Sequence, residues 1–164
     1  MRYASIRDLD ISNGEGLGIA LFVQGCHRHC YNCFNQETWD FNGGKEWTDE
    51  TQQKFIQLLE NRPRIKRLSI LGGEPFEYPH EISSIIEAVS LKVDKVWIYT
   101  GYKYEELWKN TNTRSLLFHC DVLVDGEYID DLRDLKLKWR GSSNQRVIDV
   151  NRSIAENKVV LYCD

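Results

Sequence analysis

Proline is scarce: three residues in 164, with a single methionine and no stretch of low complexity. Nothing of that kind divides the chain, and no internal repeat is visible. One domain over residues 1–164 is expected, long enough to bury roughly 70% of its unfolded surface. Long apolar runs are missing as well. None approaches the ~20 residues that span a bilayer, so no membrane-spanning segment is expected. The opening residues, MRYASIRDLDISNGEG, hold no apolar core of the kind a secretory signal needs, and the expectation is a cytoplasmic protein. Basic charge is not in excess either, with 21 Lys and Arg against 25 Asp and Glu and a net charge of −4. That argues against nucleic acid or an anionic membrane as a general partner, since both call for a basic surface. A local basic pocket stays possible.

What is there is a cluster of thiols. Three of the five cysteines, Cys26, Cys30 and Cys33, lie in GCHRHCYNCFN (25–35), and no fourth is near. In a reducing compartment such a cluster reads as a metal site rather than a disulfide framework. The spacing i, i+4, i+7 also fits one buried stripe of a helix, although the local composition is poor for one. Structural zinc is a stronger competitor. It takes four tetrahedral ligands, the fourth supplied by His27, His29 or distant Cys120. The third reading is a 4Fe-4S cluster. Such cubanes are usually held by four thiolates, so three leave one iron open to substrate or cofactor.

Two periodicities alternate along the chain. IALFV (19–23), RLSIL (67–71), KVWIY (95–99), DVLV (121–124) and KVVLY (158–162) read as strands. Residues 48–62 read as a helix with Thr48 as N-cap and Pro63 closing its end. A second helix starts at Pro79 and sets Ile82, Ile85, Ile86 and Val89 on one face, and a third, short one contains Leu107 and Trp108. Residues 127–157 give no clear pattern. Strands alternating with helices imply an α/β protein with a mainly parallel sheet. At this length a closed eight-fold barrel is not expected, and an open, partial barrel is. The cysteine loop, GGEP (72–75), TGY (100–102) and DGEY (125–128) each follow a strand. At the C-terminal ends of parallel strands they would meet on one edge and form the site. Within GGEP, the glycines let backbone approach a ligand closely, and Glu74 offers an acceptor for an ammonium group.

The spacing C-x3-C-x2-C, followed by Gly-Gly-Glu after the next strand, resembles that of the radical S-adenosylmethionine (radical SAM) enzymes. The resemblance implies a 4Fe-4S cluster held by Cys26, Cys30 and Cys33, the catalytic cysteines. The open iron would be chelated by the amino and carboxylate groups of S-adenosylmethionine, whose cleavage yields a hydrogen-abstracting 5′-deoxyadenosyl radical. It assigns Gly72, Gly73 and Glu74 to the methionyl amino group and places Asn32, Cys33 and Phe34 near the cofactor. Asn32 departs from the aromatic residue often found before the last cysteine.

Nearly the whole chain is similar to the anaerobic ribonucleoside-triphosphate reductase activating proteins. The stretches that carry the likeness are DISNGEGLGIALFVQGC (10–26), NQETW (35–39), LGGEP (71–75), WIYTGY (97–102), VDGEY (124–128) and, most telling, WRGSSNQRVID (139–149). Gly18 departs from it, standing where many relatives carry an arginine. This likeness implies an oxidoreductase of the type of the formate C-acetyltransferase-activating enzyme. It would generate a glycyl radical on the large subunit of an anaerobic ribonucleoside-triphosphate reductase, with a flavodoxin-type electron donor. Another small radical SAM enzyme is the alternative, either a different activase or a 7-carboxy-7-deazaguanine synthase. A non-catalytic zinc or iron–sulfur protein is the remaining one. Arg140, Ser142, Asn144 and Gln145 are expected either to donate hydrogen bonds to the cofactor or the partner, or to form a solvated turn. The charge run 131–138 is expected to be a solvated face. Cys120 and Cys163 are expected to be structural thiols.

Overall fold

The computed structural model describes residues 1–164. Its centre is four parallel strands, β2 (Gly18–Val23), β4 (Arg67–Gly72), β5 (Lys95–Tyr99) and β6 (Val122–Asp125), hydrogen-bonded in that order. Every residue of β2 and β6 is buried. Strands covered on both faces read as unbroken apolar runs, which is why these segments stand out in the sequence.

Helices cover one face. α1 (Asp49–Glu60) begins at Thr48, whose hydroxyl accepts from the Thr51 N–H at 3.1 Å. α2 (Pro79–Val89) starts at its proline and buries Ile82, Ile85, Ile86 and Val89. α3 (Tyr104–Lys109) and α4 (Thr111–Leu117) link β5 to β6. Their apolar residues join Ile19, Leu21, Leu68, Ile70, Val96 and Ile98 in one large core. The alternate residues of the same strands, among them Phe22, Leu71, Trp97, Val122 and Val124, point to the other face. There they form only two small clusters, with no helix over them.

The sheet is mixed rather than mainly parallel, which corrects the expectation. Four of its seven strand pairings are antiparallel. β1 (Arg2–Asp10) runs against β2 and carries the two-residue β3 (Lys45–Glu46) at its outer edge. At the other end β7 (Arg146–Asp149) runs against β6 and β8 (Leu161–Cys163) against β7, with α5 (Val150–Glu156) between them. A parallel neighbour needs a crossover of about a dozen residues or more, usually a helix. The link 11–17 is too short for one, 150–160 holds only the two-turn α5, and 126–145 holds only a single 3-10 turn, Asp130–Leu132.

The sheet is open, with β3 and β8 at its edges. Even so, the Tyr162 hydroxyl on β8 donates to Glu15 in the loop after β1, so one side-chain link spans the gap between the two ends. The expected last strand is present but starts at Leu161, and the expected β6 is shifted by one residue. No helix is long and apolar enough to cross a membrane.

Candidate active site

The loops that follow the four parallel strands meet, as the strand order requires. Together with loop 11–17 and segment 126–145 they enclose a cavity of about 500 Å³. Cys26, Cys30 and Cys33 are on its wall, with Gly72, Gly73, Glu74, Thr100, Gly101 and Gly126.

The cysteine loop is not helical, so the helix-stripe reading falls. Left-handed backbone at Gly25, His29 and Asn32 winds it instead. One sulfur accepts a backbone hydrogen bond, and another, Cys30 Sγ, faces a carboxylate, Glu127 Oε1, at 3.7 Å. The Asn35 N–H donates to Cys33 Sγ at 3.4 Å. Burial pushes the Cys26 thiol up, while the N–H groups of Arg28 and His29 favour its thiolate. Burial and then the Glu127 carboxylate push the Cys30 thiol up, and the Tyr128 N–H opposes them.

The residues proposed to complete a zinc site are engaged elsewhere. His27 packs on Phe41 and meets Glu77 Oε1 at 3.1 Å, and His29 stacks on Trp39 with ring centroids 4.4 Å apart. Cys120 is buried and donates its S–H to the Val122 carbonyl at 3.2 Å. No three His, Cys, Asp or Glu side chains are grouped where a single ion could sit.

Gly72 and Gly73 serve a contact the sequence did not reveal. The Gly73 N–H donates to the Val23 carbonyl at 2.9 Å and the Glu74 N–H to the Gly25 carbonyl at 2.8 Å. A Cβ on Gly73 would fall 2.3 Å from that Gly25 oxygen. The close approach is therefore first of all to the chain's own cysteine loop, which it docks against the end of β4.

Glu74 is 1% exposed and accepts three hydrogen bonds, from Thr100 Oγ1 at 2.8 Å, the Gly101 N–H at 2.8 Å and the Phe76 N–H at 3.1 Å. It brackets the loop after β4 to the loop after β5. Burial pushes its carboxyl up to about 7, against the donors that favour the charged form. A carboxyl raised by folding stabilises the fold fully below its ordinary value of 4.5, and that contribution is lost as pH rises through about 7. The apoprotein is therefore expected to lose up to about 3 kcal/mol over that interval. Glu74→Gln removes the titration, so thermal melts of the two proteins should diverge across this range. Curves that stay parallel would contradict the burial of this group.

Of the residues expected near the cofactor, Asn32 alone is off the cavity wall; its side-chain amide donates to Asp130 at 3.1 Å. Phe34 lines the wall, against Tyr128 and close over Gly141. The stretch RGSSNQ (140–145) spends most of its polar groups within the chain, while Arg140 lines the cavity with its Nε–H buried and without a partner. Gln145 accepts from the N–H groups of Gly141 and Ser142 and donates to the Gly126 carbonyl. Asn144 donates to the Glu127 carbonyl, and buried Ser142 accepts from the Ile129 N–H. These bonds shape 126–145 into a strap over the face that lacks helices. Leu137, in the charge run expected to be a solvated face, is on the cavity wall. Trp139 anchors the strap on Trp97 and Tyr162, in a left-handed conformation (φ 61°) that a bulky residue rarely takes.

Sequence reasoning missed Asp10, Arg28, Arg67 and Glu127. The one available signal was arginine at the head of an otherwise apolar strand.

An α/β sheet that presents three thiols on one non-helical loop to a single cavity is laid out as an iron–sulfur protein. The family model for a 4Fe-4S single cluster domain matches residues 12–148. The anaerobic ribonucleoside-triphosphate reductase-activating protein of Vibrio cholerae is 39% identical over 152 residues, covering 88% of this chain and 96% of its own. That of Salmonella typhimurium is 40% identical over 154 residues, covering 90% and 97%, and that of Haemophilus influenzae 39% over 152, covering 88% and 96%. The chain belongs to the family of anaerobic ribonucleoside-triphosphate reductase-activating proteins.

Proposed function

We propose that the chain is a radical SAM activase whose partner is the large subunit of an anaerobic ribonucleoside-triphosphate reductase. On this reading residues 1–164 are one cytoplasmic domain, an open, partial barrel in which the Tyr162 hydroxyl of the last strand donates to Glu15. Cys26, Cys30 and Cys33 hold three irons of a 4Fe-4S cluster. Gly72, Gly73 and Glu74 form the wall beside the methionyl amino group, and the backbone of Asn32, Cys33 and Phe34 lies along the cofactor.

The observation that carries this reading is the treatment of the sulfurs. All three lie on the wall of one cavity, and the Asn35 N–H donates to Cys33 Sγ, which suits a ligand that carries negative charge. The side chains that would complete a four-ligand zinc site are turned to other partners. When bound, the cluster and S-adenosylmethionine would supply hydrogen-abstracting radical chemistry, directed on this reading at a glycine of the partner. The chain's own residues hold the thiolates, keep bulk water from Glu74 and orient the loops after β4 and β5. A flavodoxin-type protein is the proposed electron donor.

Mixing the reduced, reconstituted chain with the reductase large subunit and S-adenosylmethionine is expected to give a glycyl radical on the reductase, read by electron paramagnetic resonance. Cofactor cleavage with no radical on the reductase would reassign the substrate.

A further inference from the structure

Arg28 stands between two of the cysteines and has an unusual setting. Its stem lies against Gly101, where a Cβ would fall 2.4 Å from Arg28 Cδ, and its guanidinium sits 4.9 Å from the centre of the Tyr102 ring. The Nε–H is sealed from water and has no partner. Nη2 reaches Glu127 Oε2 at 3.4 Å, while the other oxygen of the same carboxylate receives the Cys30 S–H at 3.7 Å. A cation and a cysteine sulfur thus share one carboxylate. The strap fixes the backbone of this residue, where Asn144 donates to the Glu127 carbonyl at 2.7 Å, while the half-exposed carboxylate itself meets Arg28 and Cys30.

We propose that Arg28 and Glu127 are positioning residues that set the reduction potential of the cluster in opposite directions. The proposal rests on the three-cysteine reading above. Reduction brings one electron from the donor onto the cluster, with no bond made or broken at either side chain. The added negative charge is favoured by a fixed cation nearby and disfavoured by a carboxylate at a ligand sulfur. Guanidinium suits the first role, being always charged, weakly hydrated and able to stack on an aromatic ring. The setting is consistent with a charge held for electrostatic effect: the ring, the glycine and Glu127 fix the side chain, yet one donor is left unspent.

The test is an anaerobic redox titration of the reconstituted chain, followed by the resonance signal of the reduced cluster, with iron and sulfide measured in each sample. Arg28→Gln is expected to lower the potential enough to cut the reduction equilibrium about tenfold, which is about 59 mV for one electron. Glu127→Gln is expected to raise it, and Arg28→Lys to stay near the parent. Arg28→Gln with full iron and sulfide and an unchanged or higher potential overturns the proposal. So do two glutamine variants that move in the same direction. If Arg28→Gln does not load, Glu127→Gln decides alone, and no upward shift overturns the idea. A parent chain that takes up no iron and sulfide contradicts the cluster reading itself, so the two failures are distinguishable.

Discussion

Replacing Cys26, Cys30 or Cys33 singly by alanine is expected to leave the reconstituted chain with background iron and sulfide and no activity. Each thiolate holds one iron on the proposed reading, and the surroundings offer no substitute. His27 and His29 are committed to Phe41, Glu77 and Trp39, and Cys120 is buried in the large core just before β6. A second iron without a protein ligand leaves the cluster held by two anchors on a loop that is itself only partly buried. Cys120→Ala serves as the control. It removes a small apolar group and a weak S–H bond, so it should cost about 1 kcal/mol of stability and retain the cluster. Absorbance and metal content of the four variants, reconstituted side by side, give the answer. Cluster loss in Cys120→Ala, or a stable cluster in any of the other three, would contradict the ligand set.

The largest effect on stability is expected from Asp10→Ala. Asp10 and Arg67 are 1% and 2% exposed. Arg67 Nη2 donates to the Asp10 carboxylate at 2.5 Å and to the Asp10 carbonyl at 2.8 Å. Burial lowers the pKa of Arg67, and the Asp10 charge holds it up. Removing one partner of such a pair leaves an uncompensated buried charge, at a cost of about 3–5 kcal/mol. For a chain of this size that lowers the midpoint of thermal unfolding by roughly 6–20 °C. Replacing both partners, as Asp10→Ala with Arg67→Met, is expected to cost less than Asp10→Ala alone, since no charge is stranded. The effect should reach the cavity. Asp10 also accepts from the N–H and the side-chain amide of Asn13, which with Ser12 forms part of the wall. Calorimetry of the single and double variants checks both statements. A single variant within about 1 kcal/mol of the parent would mean that the pair is not buried as described.

The legible parts of this protein are those whose cause is local. β2, β4 and β5 announce themselves as apolar runs, α2 by the spacing of its isoleucines, and the metal loop by its thiols. β1 does not, because Arg2, Arg7, Asp8 and Asp10 interrupt its pattern and two register shifts break its alternation. α4 is hidden behind TNTR, a poor helix opening that only the Asn110 side chain caps. Strand direction at the sheet edges is not written in periodicity at all. It follows from what each connection has length and structure to do.

The site divides in the same way. Gly72, Gly73 and Glu74 stand out in the sequence, but their immediate partners lie far along the chain. The glycines meet Gly25 and Val23, and the carboxylate meets Thr100 and Gly101. Residues 126–145 look like a polar loop in sequence. They become a strap only because Gln145, Asn144 and Ser142 bond the segment back onto itself. Arg28 drew no notice for a similar reason, since its meaning depends on Tyr102 and Glu127.

The most direct measurement is reductive cleavage of S-adenosylmethionine. The chain is reconstituted with iron and sulfide without oxygen, reduced in the presence of the cofactor, and assayed for 5′-deoxyadenosine and methionine. Both products in equal amounts, dependent on the cluster and absent in Cys33→Ala, are what the radical SAM reading predicts. A chain that binds its full complement of iron and sulfide but never cleaves the cofactor, even with the reductase present, would contradict it and leave a non-catalytic iron–sulfur protein.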